Sequence, residues 1–99
     1  MRLSRASAAI VKGEVEQVFG RDARIWLFGS RVDDTARGGD IDLLIEADVI
    51  IDEAFDKELK LCARLVRRLG DQGIDIVVHR WGAPVLPIDE SAFQSGVRL

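Results

Sequence analysis

The chain is poor in cysteine, histidine and proline, and each scarcity narrows what it can be. Its one cysteine, Cys62, cannot close an internal disulfide, and one Cys with one His, His79, does not make a zinc-binding set. Only two prolines, Pro84 and Pro87, argue against long disordered stretches. No apolar run approaches membrane-spanning length and the N-terminus has no signal-peptide core, so the expected compartment is the cytoplasm, with no membrane partner. Positive charge is also short: a net charge of -3 disfavours extended nucleic-acid binding, which requires several phosphates to be neutralised by basic residues. What remains is 47% hydrophobic and 31% charged over 99 residues, enough for one core and too short for a second domain. A single domain over residues 1–99 is therefore expected.

Helices and strands alternate in the pattern. Ser4 or Ser7 caps a first helix running to about Phe19, with Ile10, Val11, Val15, Val18 and Phe19 at helical spacing and Gly20 as its stop. An apolar strand, Ile25 to Phe28, follows. A second strand begins at Asp40 and extends to about Glu46. Asp48 or Asp52 then opens a second helix, whose apolar stripe is read as Phe55, Leu59, Cys62, Ala63, Val66 and Leu69, with Gly70 ending it. Ile74 to Val78 forms a third strand. Beyond it, Asp89 to Gln94 suggests a short helix and Val97 to Leu99 a terminal strand. This order predicts an α/β (α+β) domain: a small mixed sheet backed by helices on one face, with the other face bearing acidic groups.

Two segments carry the chemistry. Leu27-Phe28-Gly29-Ser30-Arg31 puts a glycine-bearing turn at the end of the first strand, and Asp40-Ile41-Asp42-Leu43, separated from Ser30 by nine residues, opens the second. Alternate strand residues project from one face, so Asp40 and Asp42 point the same way. Two like charges on one face call for a compensating cation, and magnesium, which favours carboxylate oxygens and shares its remaining positions with phosphates, suits them. Gly29 lets backbone approach a ligand closely, while Ser30 and Arg31 add a hydroxyl and a fixed positive charge suited to a triphosphate. Gly-Ser alone is a weak signal, and an isolated Asp-hydrophobic-Asp is common; together they outweigh the reading of Asp40 as a turn residue.

Phe28-Gly29-Ser30 and Asp40-Ile41-Asp42-Leu43 resemble the two-part signature of minimal nucleotidyltransferases in the DNA polymerase beta superfamily, the palm-like fold also found in MNT/HEPN antitoxins. Gly38-Gly39 stands where many small relatives have a spacer one residue longer and a serine before the first aspartate. The resemblance implies transfer of a nucleoside monophosphate, AMP from ATP or its counterpart from another nucleoside triphosphate, to an acceptor hydroxyl. It further implies two magnesium ions held by Asp40 and Asp42, a third carboxylate at Asp75 as ligand or general base, and phosphate contacts from Gly29, Ser30 and Arg31. Asp75 beside Gly73 also reads as a strand-start residue, and Arg31 as a surface partner of Asp33 or Asp34. Small relatives act with a helical HEPN-type partner, which makes protein nucleotidylation the leading expectation. A contact-only module that neutralises such a partner, and an enzyme that modifies a small antibiotic, are the alternatives; the second would need an oligomer to complete its pocket. His79, Cys62, Trp26 and Trp81 are assigned no catalytic role, and Arg64, Arg67 and Arg68 are read as a solvated helix end suited to the helix dipole.

Overall fold

In a computed structural model of the chain, residues 3–28, 41–70 and 73–99 are described. They form α1 (Arg5–Phe19), β1 (Arg24–Phe28), β2 (Ile41–Ala47), α2 (Ile51–Leu69), β3 (Ile74–Arg80), α3 (Pro87–Ser95) and β4 (Val97–Arg98). The strands make one sheet in the order β3-β2-β1-β4. β1 is antiparallel to both β2 and β4, whereas β2 and β3 run parallel, because α2 returns the chain to the same end of the sheet before β3 starts.

Local chemistry sets the element ends. The Ser4 side chain accepts a hydrogen bond from the Ser7 N–H at 3.1 Å and starts α1. Gly20, at φ 94°, takes the left-handed conformation that lets the chain leave the helix, and its N–H donates to the Glu16 carbonyl. The Asp89 carboxylate, inside the first turn of α3, accepts the Leu86 N–H at 2.9 Å. Gly96 serves a different purpose: a Cβ there would lie 2.4 Å from the Ala92 carbonyl oxygen and 3.0 Å from that of Leu27, so only glycine lets β4 lie down beside β1.

The core lies between the sheet and the pair α1 and α2. Val11, Val15, Val18 and Phe19 of α1 and Leu61 and Leu65 of α2 pack on Ile25 and Leu27 of β1 and on Ile41, Leu43, Ile45 and Ala47 of β2. The expected fold class and element order are those found. One helical face differs: on α2 the fully buried sheet-facing residues are Leu61 and Leu65, Leu69 of the expected stripe packs partly buried against the core, and Phe55, Leu59, Ala63 and Val66 of that stripe are exposed. Cys62 of that stripe is half-buried, its Sγ 4.0 Å from the Ile74 carbonyl. The sequence supplies two apolar stripes on one helix, and tertiary packing takes the leucine pair. The expectation of helices on one face is corrected as well: α3 lies on the other face of the sheet, where Phe93 meets Trp26 edge-on at 4.9 Å and His79 at 5.7 Å.

The helices are also joined by a buried carboxylate. Glu14 of α1, only 6% exposed, accepts hydrogen bonds from Arg64 Nε and, at 2.9 Å, from Arg68 Nη1 of α2. Two of the three arginines read as a solvated helix end therefore tie α2 to α1. The Arg64 hydrogen bond is the main influence holding the Glu14 carboxyl below the usual carboxylate range; desolvation opposes it, and the Arg64 charge and Arg68 reinforce it. A carboxyl lowered in the folded state contributes stability that is fully present above its unfolded pKa and is lost as pH falls through its folded value. Thermal unfolding of Glu14→Gln and wild type between neutral pH and pH ~3 should show Glu14→Gln melting several degrees lower at neutral pH, with the gap closing in acid. A gap that does not change with pH would contradict the clamp.

Candidate active site

The face of the sheet turned away from α1 and α2 is built in cross-strand rows. Alternation along β2 puts Asp42, Leu44 and Glu46 on this face, opposite Ile41, Leu43 and Ile45. Strand pairing then sets Phe28, Asp42 and Asp75 in one row, Trp26, Leu44 and Val77 in the next, and Arg24, Glu46 and His79 in the third. The middle row is apolar and Leu44 is fully buried, which anchors the acidic row beside it.

Asp42 and Asp75 are direct partners across the parallel β2–β3 pair. Partners in adjacent strands lie about 4.8 Å apart along the hydrogen-bonding direction with side chains on one face. The register is fixed at the strand starts, where the Ile41 N–H donates to the Gly73 carbonyl at 2.8 Å. Asp42 is half-buried and Asp75 exposed, so the row opens to solvent from the β3 side. Two carboxylates side by side are hard oxygen donors of the kind magnesium takes, and their mutual repulsion is relieved by a cation. Gly29, Ser30, Arg31 and Asp40 lie outside the described residues, as does the remainder of the segment joining β1 to β2. Of the sequence-derived site, the structure therefore brings together Asp42 and Asp75. Among the described residues no group of three or more His, Cys, Asp or Glu side chains is gathered for a metal.

The other polar groups of this face are committed elsewhere. His79 is four residues beyond Asp75, roughly 13 Å along the strand. It is buried, with Nε2 3.1 Å from the Ala83 carbonyl, while Nδ1 lies 3.4 Å from Glu46 Oε2 without a hydrogen bond to it. Glu46 also pairs with Arg24 at 3.6 Å. This third row holds the far end of the sheet to the turn after β3. Trp26 packs against Phe93 with the Arg98 guanidinium 5.8 Å above its ring, as a core contact, whereas Trp81 is 45% exposed. A cleft of about 430 Å³ between α1 and α2, lined by Ile10, Glu14, Arg64 and Arg68 among others, lies behind the sheet; its arginines are engaged by Glu14 and do not offer a free phosphate site.

Sequence reasoning did not find Glu14 or the row of Arg24, Glu46 and His79. Both rest on contacts between residues far apart in the chain, for which no short motif exists. The one available signal was the spacing of Arg64 and Arg68, four apart and so on one helix face.

The sequence profile described as a nucleotidyltransferase domain matches residues 9–78, a span that runs from α1 into β3 and contains both acidic strands. No curated protein matches the chain. Among solved structures, the crystal structure of a candidate nucleotidyltransferase from Sulfolobus solfataricus is similar, with a TM-score of 0.54 and 20% identity over 94% of this chain and 81% of that one. At that identity the likeness concerns the fold. Helix α3 and β4 lie beyond the segment that the profile matches.

Proposed function

Because this chain belongs to the nucleotidyltransferase domain family, we propose that it transfers the nucleoside monophosphate of ATP to a hydroxyl of a partner protein. The observation that carries this reading is the pairing of Asp42 with Asp75 across β2 and β3 on a solvent-facing side of the sheet. An acidic strand start has many uses, but a second carboxylate set directly beside it on a parallel neighbour builds a place for a divalent cation.

The residues divide the work. Asp40, Asp42 and Asp75 would hold magnesium, two ions in the full site, which when bound neutralises phosphate charge and makes the acceptor hydroxyl easier to deprotonate. Gly29 and Ser30 would present backbone and hydroxyl donors to the triphosphate, and Arg31 would balance its charge. In the proposed reaction the acceptor oxygen attacks the α-phosphorus, the bond to the β-phosphate bridging oxygen breaks, and pyrophosphate leaves, with Asp75 as the base that would take the acceptor's proton. The half-buried Asp42 is flanked in its row by Phe28 on β1 and Asp75 on β3.

A protein acceptor fits the net charge of -3, which gives little support to a long nucleic-acid substrate. The resemblance to small MNT antitoxins points to a helical HEPN-type protein as that partner, encountered in the cytoplasm. No helix among the described residues is long and apolar enough to cross a membrane.

Labelled ATP in magnesium buffer with a native extract tests the proposal. Label on the α-phosphate should pass to a protein of defined size, label on the γ-phosphate should not, and Asp42→Asn should block the transfer. Retained magnesium–ATP binding with no protein labelled would overturn the protein-acceptor reading and leave a contact-only module or a small-molecule acceptor.

A further inference from the structure

Helix α2 has more apolar surface than the fold uses. Leu61 and Leu65 are fully buried against the sheet, whereas Phe55, Leu59 and Val66 are 64%, 52% and 40% exposed, with the half-buried Cys62 between them. At about 100° per residue these four side chains fall within an arc of roughly 60°. Their spacing of four, three and four residues is that of a coiled-coil seam. Arg64 and Arg68, bonded to Glu14, mark the side of α2 that meets α1, and the stripe is turned away from it.

The charges of α2 are divided along its length. Asp52, Glu53, Asp56 and Glu58 outnumber Lys57 and Lys60 in the half before Leu61, and Arg64, Arg67 and Arg68 occupy the half after it; apart from Arg64 and Arg68, which bond Glu14, none of them forms an ion pair among the described residues. By helical angle, Asp52, Asp56 and Arg67 lie along one flank of the stripe.

We propose that α2 pairs antiparallel with α2 of a second copy of this chain, about a twofold axis passing between Lys60 and Leu61. The occupant follows from self-complementarity. Phe55 and Val66 are equidistant from that axis, and so are Leu59 and Cys62. The twofold therefore sets Phe55 against the partner's Val66 and Leu59 against the partner's Cys62, each large side chain meeting a smaller one. The same operation brings Arg67 between the partner's Asp52 and the partner's Asp56. A parallel pair would instead set acidic half on acidic half, which is unfavourable. Such an interface is isologous, one patch used twice and closed at two copies. Asp42 and Asp75 lie on the opposite face of the sheet, so both sites stay open in the dimer.

Analytical ultracentrifugation of the full chain from about 1 μM to about 1 mM, the span of modest affinities, tests this. The expected result is a concentration-dependent rise to twice the monomer mass. Leu59→Glu should weaken association at least about tenfold, with Tm and helicity of the dilute protein unchanged because this side chain is exposed in the monomer. Arg67→Glu should weaken it several-fold, and Asp56→Arg/Arg67→Glu should recover most of the loss. A monomer throughout the range, a dimer indifferent to Leu59→Glu, or failure of the paired reversal to rescue would each overturn the antiparallel α2 dimer.

Discussion

Asp42→Asn is expected to lower nucleotidyl transfer by about 10³-fold or more while leaving Tm within a few degrees of wild type, a loss equal to several kcal/mol of transition-state stabilisation. Asparagine keeps the shape of the side chain and its capacity to accept a hydrogen bond, so neighbouring contacts have a nearly isosteric replacement. What changes is the charge. A neutral amide is a poor magnesium ligand, and it no longer faces Asp75 as a like charge across the β2–β3 pair. Removing one of two adjacent negative charges relieves their repulsion, and shape-preserving changes at partly exposed positions usually shift stability by about 0.5 kcal/mol or less. Activity and fold therefore separate in this variant. Steady-state transfer rates, magnesium titration and thermal melts on the same preparation make the comparison. A wild-type rate in Asp42→Asn would remove Asp42 from the site; a lost rate with a collapsed melting transition would mean that the residue is structural. Asp75→Asn should follow Asp42→Asn in direction, since the two residues occupy one row.

That row shows what could and could not be read from the chain. Helix α1 was legible from its ends, because Ser4 and Gly20 act through local chemistry within a few residues. The common face of Asp42 with Leu44 and Glu46 was legible too, since alternation along a strand is a local rule. That Asp75 joins Asp42 was legible only through the family resemblance, and that the two are direct cross-strand partners was not legible at all. Register between parallel strands depends on how α2 spans the crossover and on where the Ile41 N–H meets the Gly73 carbonyl, and neither has a local signature. The same limit hid Glu14, whose partners lie 50 and 54 residues away in sequence. It also hid the placement of α3, whose helical pattern says nothing about which side of the sheet Phe93 will cover. Gly29, Ser30, Arg31 and Asp40 stand as the sequence left them, outside the described residues.

The face of α2 is the sharpest instance, and it yields the other large effect. Leu61→Ala should destabilise the chain by about 2–5 kcal/mol, whereas Leu59→Ala, two residues earlier, should change the stability of the dilute monomer by about 0.5 kcal/mol or less. By periodicity, Leu59 belongs to the longer apolar stripe and looks like the core residue. Periodicity, however, establishes only that a stripe exists; it does not assign the stripe to the sheet when a second one is available. Leu61 and Leu65 are fully buried, in contact with the cluster formed by Val11, Val15, Leu43 and Ile45. Truncating Leu61 leaves a cavity there that rigid strands and α1 cannot collapse to fill. Set against the roughly 5–15 kcal/mol by which a domain is stable, the loss is a large fraction of the total, and Tm should drop by more than ~10 °C. Denaturant melts of both variants at micromolar concentration decide the matter. Equal destabilisation would mean that α2 presents its longer stripe to the sheet, and the reverse order would mean that the helix is rotated by about a third of a turn.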